Sequence, residues 1–136
     1  MIRFNVFDSS TLQQGNRRSA PTVSFDVHGK ILFNKAAASV IRQSRKEKGK
    51  GNDGIKVKFF QDQDHPADWY LSADYPEGYA AKVLKSGACS IIHRPLARKI
   101  LDSLSASESA KIPLSETPEV INGKIMLVLE TKRAKI

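Results

Sequence analysis

An α+β domain of mostly antiparallel strands and two helices follows from three features of the sequence. Segments such as Val23-Ser24-Phe25-Asp26 and Ile55-Lys56-Val57-Lys58-Phe59 alternate apolar and polar residues, the period of a strand with one buried face. Two other segments, from Lys35 into the mid-forties and from Arg94 to Leu104, space apolar residues at helical intervals. Between them lie polar stretches carrying Gly or Pro, which stop one element and turn the chain into the next.

In order, Ile2, Phe4 and Val6 predict a first strand, followed by a polar loop from Asp8 to Pro21. Val23 and Phe25, then Ile31-Leu32-Phe33, form a hairpin with Gly29 at its tip. Asn34 is a helix cap, and Ala36, Ala37, Val40 and Ile41 give the helix its apolar stripe. Lys48 to Gly54 has three glycines and no apolar residue, so the helix stops there and a basic loop follows. Strands are expected at Ile55–Phe59, Trp69–Leu71, Tyr79–Leu84 and Ser90–Ile92, with Pro66 barring a strand between the first two. Pro95 opens the second helix, whose stripe is Leu96, Ile100, Leu101 and Leu104. Two last strands, Lys111–Ser115 and Lys124–Lys132, are separated by the Pro118 region and Asn122-Gly123.

The order strand, Gly turn, strand, helix, strand, strand occurs twice. Ile31-Leu32-Phe33-Asn34 matches Ser90-Ile91-Ile92-His93 at a separation of 59 positions, so two ββαββ passages, 22–73 and 79–132, would share one core. Residue identity between them is low, and α+β chains produce this order without duplication. The 136 residues suit a single domain. Hydrophobic residues make up 40% and charged residues 26%, which excludes global disorder. Ile125–Leu129 is the longest strongly apolar run and Met1-Ile2-Arg3-Phe4-Asn5 is unlike a signal sequence, so a soluble cytoplasmic protein without a membrane role is expected. Cys89 is the lone cysteine, which excludes an internal disulfide and a Cys-rich zinc site.

Twenty-two Lys and Arg against 14 Asp and Glu give a net charge of +8, spread over both halves, which favours polyanionic partners. The densest cluster is Arg42, Arg45, Lys46, Lys48 and Lys50, set among glycines that let cations follow a phosphate backbone. Arg94 and Arg98 lie four apart on one helix face and offer a second phosphate contact, although Arg98 is also four from Asp102. The plain alternative is a solvated basic surface. Lys132-Arg133-Ala134-Lys135 reads as a solubilising tail.

Asp26-Val27-His28-Gly29-Lys30-Ile31-Leu32-Phe33-Asn34, with an Ala-rich helix and two strands after it, resembles the swapped-hairpin DNA-binding domain of the AbrB and SpoVT type over 22–73. That family shows Asp, two residues, Gly, a basic residue and alternating apolar residues before a short helix. Asp26, Gly29, Lys30, Ile31 and Phe33 stand at those places. Asn34 replaces the family's usual Pro, the Ser44–Gly54 segment is longer and more basic, and Gly87 in the second passage lacks an adjacent basic residue. The resemblance implies paired hairpins across a pseudo-twofold axis, Lys30, Lys35 and Arg42 on DNA phosphates, and a transcriptional regulator; a homodimer is compatible with it. The element order alone is also similar to the Whirly and Pur-alpha families of single-stranded nucleic-acid binders. On that reading Phe60, Trp69, Tyr70, Tyr75 and Tyr79, interleaved with Lys56, Lys58 and Lys82, would stack bases, against the need for rings in the core.

Catalysis has less support. His28, His65 and His93 form no metal-ligand pattern, Asp62, Asp64 and His65 read as a polar turn, and Cys89 near His93 lacks a nucleophile motif. No phosphate-binding glycine loop is present. The expectation is a noncatalytic DNA-binding protein without cofactor or metal, acting through Lys30, Lys35, Arg42, Arg45, Lys46, Lys48, Lys50, Arg94 and Arg98. The rival is a protein-interaction or assembly module that docks a protein partner on its sheet surface or at an edge strand over Ile2–Phe7.

Overall fold

The computed structural model describes residues 20–44, 55–75 and 77–136, and shows an α+β fold with two antiparallel five-stranded sheets and two helices. The expected strand at Ile2–Phe7 and the basic glycine loop after the first helix lie outside those residues.

Strands β1 (Thr22–Asp26) and β2 (Lys30–Phe33) form the first hairpin, with Val23, Phe25, Ile31 and Phe33 buried on its inner face. The Asp26 carboxylate accepts from the backbone N–H of His28 and of Lys30, both at 3.0 Å, and fixes the turn. Gly29 is required twice over: its φ is +95°, and a Cβ there would lie 2.7 Å from the Arg94 backbone. Helix α1 (Lys35–Ser44) starts at Asn34, whose Oδ1 accepts from Ala37 N at 2.8 Å and Thr22 N at 3.1 Å. Its Nδ2 donates to Ala20 O at 2.9 Å, so one amide ties the helix start to the first strand; proline at this place could make none of these bonds.

Strands β3 (Lys56–Gln61) and β4 (Trp69–Ser72) pair next, and Trp69, Leu71 and Val57 point inward. The expected strand over Tyr79–Leu84 is two short ones, β5 (Tyr79–Ala80) and β6 (Lys82–Val83). Ala81 between them is buried and its N–H reaches Ile55 O at 2.8 Å, so the chain completes its pairing with β3 before crossing to β7 (Cys89–Ile92). Helix α2 (Arg94–Ser103) is capped by His93, whose Nδ1 accepts from Leu96 N at 3.1 Å.

The C-terminal part departs from expectation. Besides β8 (Ser109–Pro113) and β10 (Lys124–Leu129), the segment read as a linker holds β9 (Glu119–Ile121), joined to β10 by Asn122 (φ 53°) and Gly123 (φ 78°). Two positive φ angles are what a tight hairpin turn needs to match strand twist. The last strand ends at Leu129 rather than Lys132. The basic tail forms a short 3-10 helix (Thr131–Arg133) and then returns, Lys135 pairing with Lys111 on β8.

Sheet order is β6-β7-β2-β1-β8 in the first sheet and β5-β3-β4-β10-β9 in the second. The β5–β6 run links one pair of edges. On the far side, past the part of β10 that β9 covers, Leu114 after β8 bridges Leu129 of β10, Ser115 N donates to Val128 O and Glu130 N to Pro113 O, so strand pairing closes into a ring. Inside it, Phe59 meets Phe25 and Phe33 with ring centroids 6.3 and 6.4 Å apart, and Ala37, Ala38 and Ile41 of α1 and Ala97, Ile100 and Leu101 of α2 join the same cluster. Each large side chain buried there contributes about 1.5–3 kcal/mol.

A few local features recur around the two helices. Both helices span ten residues and both cap residues accept from the N–H three positions on. Ser44 and Ser103 each donate to the carbonyl of the isoleucine three residues back. The tips also exchange: Gly29 packs on Arg94, the first residue of α2, and Gly87 packs on the side chain of Lys35, the first residue of α1. Among the described residues no helix is long and apolar enough to cross a membrane.

Candidate nucleic-acid interface

Alternation in β3 and β4 sends Phe59 and Leu71 inward, so Phe60 and Tyr70, paired across the strands, face outward on the second sheet. The chain leaving β4 folds Tyr75 back over Phe60, ring centroids 5.2 Å apart at 51°. Lys58, two residues before Phe60 and on the same face, places Nζ 5.5 Å from the Phe60 centroid and 4.7 Å from that of Tyr75. Lys124, at the start of β10, brings a second ammonium to within 5.3 Å of Tyr75. Both cations lie within cation–π range of the same ring.

The rings are half-buried rather than enclosed. Burial first, then the charges of Asp68, Asp62 and Glu119, pushes the Tyr70 hydroxyl above its usual 10.0, so it stays a neutral donor. Glu77 is the counter-charge paired with Lys58: its carboxylate is 3.0 Å from Lys58 Nζ, and that hydrogen bond holds its pKa below the ordinary 4.5. The result is a sheet face with aromatic surface and two ammonium groups, the parts needed to stack flat rings beside phosphates.

The structure divides the site residues expected from sequence. Lys30, Arg94 and Arg98 are exposed, and the Gly29 contact brings Lys30 and Arg94 to the same end of β2. Lys35 is exposed at the opposite end of that strand, beside the Gly87 turn. Arg42 is half-buried, with Nη2 3.6 Å from Cys89 Sγ, and so serves packing as well as charge. Arg45, Lys46, Lys48 and Lys50 lie outside the described residues.

Of the aromatic residues singled out, Trp69 belongs to the core, its Nε1 donating to Ser103 Oγ at 2.8 Å, and Tyr79 packs on His93 at 4.7 Å. Lys124 was not anticipated. Its only sequence signal is its place beside the Asn122-Gly123 turn, and nothing local says which face β10 shares with Tyr75.

The remaining candidates have structural explanations. Asp62, His65 and Asp68, rather than Asp64, converge with potential ligand atoms within 4.8 Å of one another. Asp62 Oδ1 accepts from the N–H of Asp64 and of His65, as in an ordinary polar turn, and the Asp64 bond is the main cause that lowers its pKa below 3.8. His93 Nδ1 is committed to its helix cap, and burial pushes the Cys89 thiol above its ordinary 9.0, opposed by Arg42. Compared with known proteins, the chain matches no family model, no curated protein and no solved structure.

Proposed function

We propose that this chain is a noncatalytic, cytoplasmic nucleic-acid-binding protein that lays an unpaired strand, of DNA in the first instance, across the outer face of its second sheet. The observation carrying this reading is the Phe60–Tyr75 pair flanked by Lys58 and Lys124. Stacked bases would engage the rings, and the ammonium groups would meet the phosphates on either side. A duplex-binding reading draws on Lys30, Arg94 and Arg98 at the Gly29 turn; Lys35 at the far end of β2 and the packed Arg42 weaken it.

Fluorescence anisotropy with labelled single- and double-stranded DNA at about 50 and about 200 mM salt separates the two, since phosphate contacts make affinity fall steeply over that range. Tyr75→Leu should weaken single-strand binding about 5- to 100-fold, the scale of one lost base stack, and leave any duplex binding unchanged. Equal loss on both forms, or no loss on either, would refute the stacking site.

A further inference from the structure

The first sheet turns its outer face away from the second, because Phe25 and Phe33 of one sheet meet Phe59 of the other across the core. Residues opposite one another in antiparallel strands share a face, so the register defines what that face carries. Lys82 lies opposite Ser90, Ser90 opposite Leu32, Leu32 opposite Ser24, Ser24 opposite Lys111, and Lys111 opposite Lys135. At about 4.8 Å per strand the row runs about 24 Å, with Lys82 at one end, Lys111 and Lys135 at the other, and the hydroxyls of Ser90 and Ser24 on either side of Leu32 between them. Lys30 stands two residues from Leu32 along β2, on the same face and opposite the exposed Ile92.

Lys30, Lys82, Lys111 and Lys135 are all exposed, and none is ion-paired among the described residues. An open groove of about 1120 Å³ follows the row over Leu32, Ser24 and Lys111 toward Lys135. Two of the acids near it are engaged: Asp26 Oδ1 holds the hairpin turn, and Glu130 is 3.0 Å from Arg133. Glu116 also lines the groove. Among the described residues the groove has no aromatic lining side chain, in contrast to the second sheet. Cations and hydroxyls without a stacking ring fit a sugar–phosphate backbone and not its bases.

Building on the reading above, we infer that this face is a second nucleic-acid surface, which grips the backbone of a separate segment so that one molecule joins two segments. The row and the Phe60–Tyr75 pair lie on opposite sides of the core, so a short oligonucleotide cannot occupy both.

The test is a titration with a single-stranded oligonucleotide of about 12 nucleotides, within the range one such domain covers. Its companion is capture of a labelled oligonucleotide by a protein-loaded immobilised one, with the molar mass of the free protein recorded. The wild-type protein should bind two oligonucleotides per chain and capture the second. The triple variant Lys82→Gln, Lys111→Gln, Lys135→Gln should bind one with unchanged affinity and capture none. Tyr75→Leu should spare the second event. One oligonucleotide per chain in both wild type and triple variant, or capture by a self-associated protein that the triple variant retains, would overturn the inference and leave the stacking site standing. Failure of the wild type to bind any oligonucleotide would remove both.

Discussion

Glu77 and Cys89 illustrate how single residues set the chemistry at two depths. At the surface, Glu77 occupies one of the two ammonium groups that a strand would need. Glu77→Gln should therefore tighten single-strand binding about two- to fivefold, the scale of an exposed ion pair, with the gain shrinking as salt rises; anisotropy titrations at two salt concentrations measure it. In the core, the Cys89 thiol is held neutral by burial, with its folded pKa above the unfolded value of 9.0. Because the unfolded chain then releases the proton more readily, this residue's contribution to stability is intact below pH 9.0 and declines as pH rises toward the folded value. Urea unfolding across that range should show the decline in the wild type, and Cys89→Ala should remove this component of it.

Helix and strand ends show which elements the sequence could announce. The end of α2 is a complete stop: Ala106 N donates to Leu101 O at 2.9 Å, Ser105 N to Asp102 O at 3.1 Å, and Ser105 takes the left-handed conformation at φ 57°. Glycine adopts that conformation without strain, so Ser105→Gly should stabilise the protein by about 0.5–1 kcal/mol, read as a higher melting temperature.

Both helices and the cap at Asn34 were legible, because cap chemistry is local and the apolar stripes keep one period throughout. Strand β9 was not, since Val120 is 74% exposed and no alternation marks a buried face; only Asn122-Gly123 hinted at a hairpin. The break at Ala81 was equally hidden, because a strand that changes sheets keeps its residue pattern while changing partners. For the candidate site, the outward positions of Phe60 and Tyr70 follow from alternation. The approach of Tyr75 and Lys124 depends on how β4 and β10 pair, which no local pattern states.

At the scale of the whole molecule, the ring of strands ties the two passages together through every strand of the first. Strand β1 pairs with β8, β2 with β7, β3 with β5 and β4 with β10, and in each case the partner comes from the second passage. Neither passage is therefore a folding unit: alone, each would expose half the core and leave backbone donors and acceptors without partners along its strands. A chain severed after Tyr75 should give two fragments that are each largely unstructured by circular dichroism. Mixing them in equal amounts should restore the strand signal and a single cooperative melt. Two fragments that fold independently would contradict the pairing described. The same interlock means that this fold forms only once Pro113 has left the ribosome, since Thr22 must wait for it to find its partner.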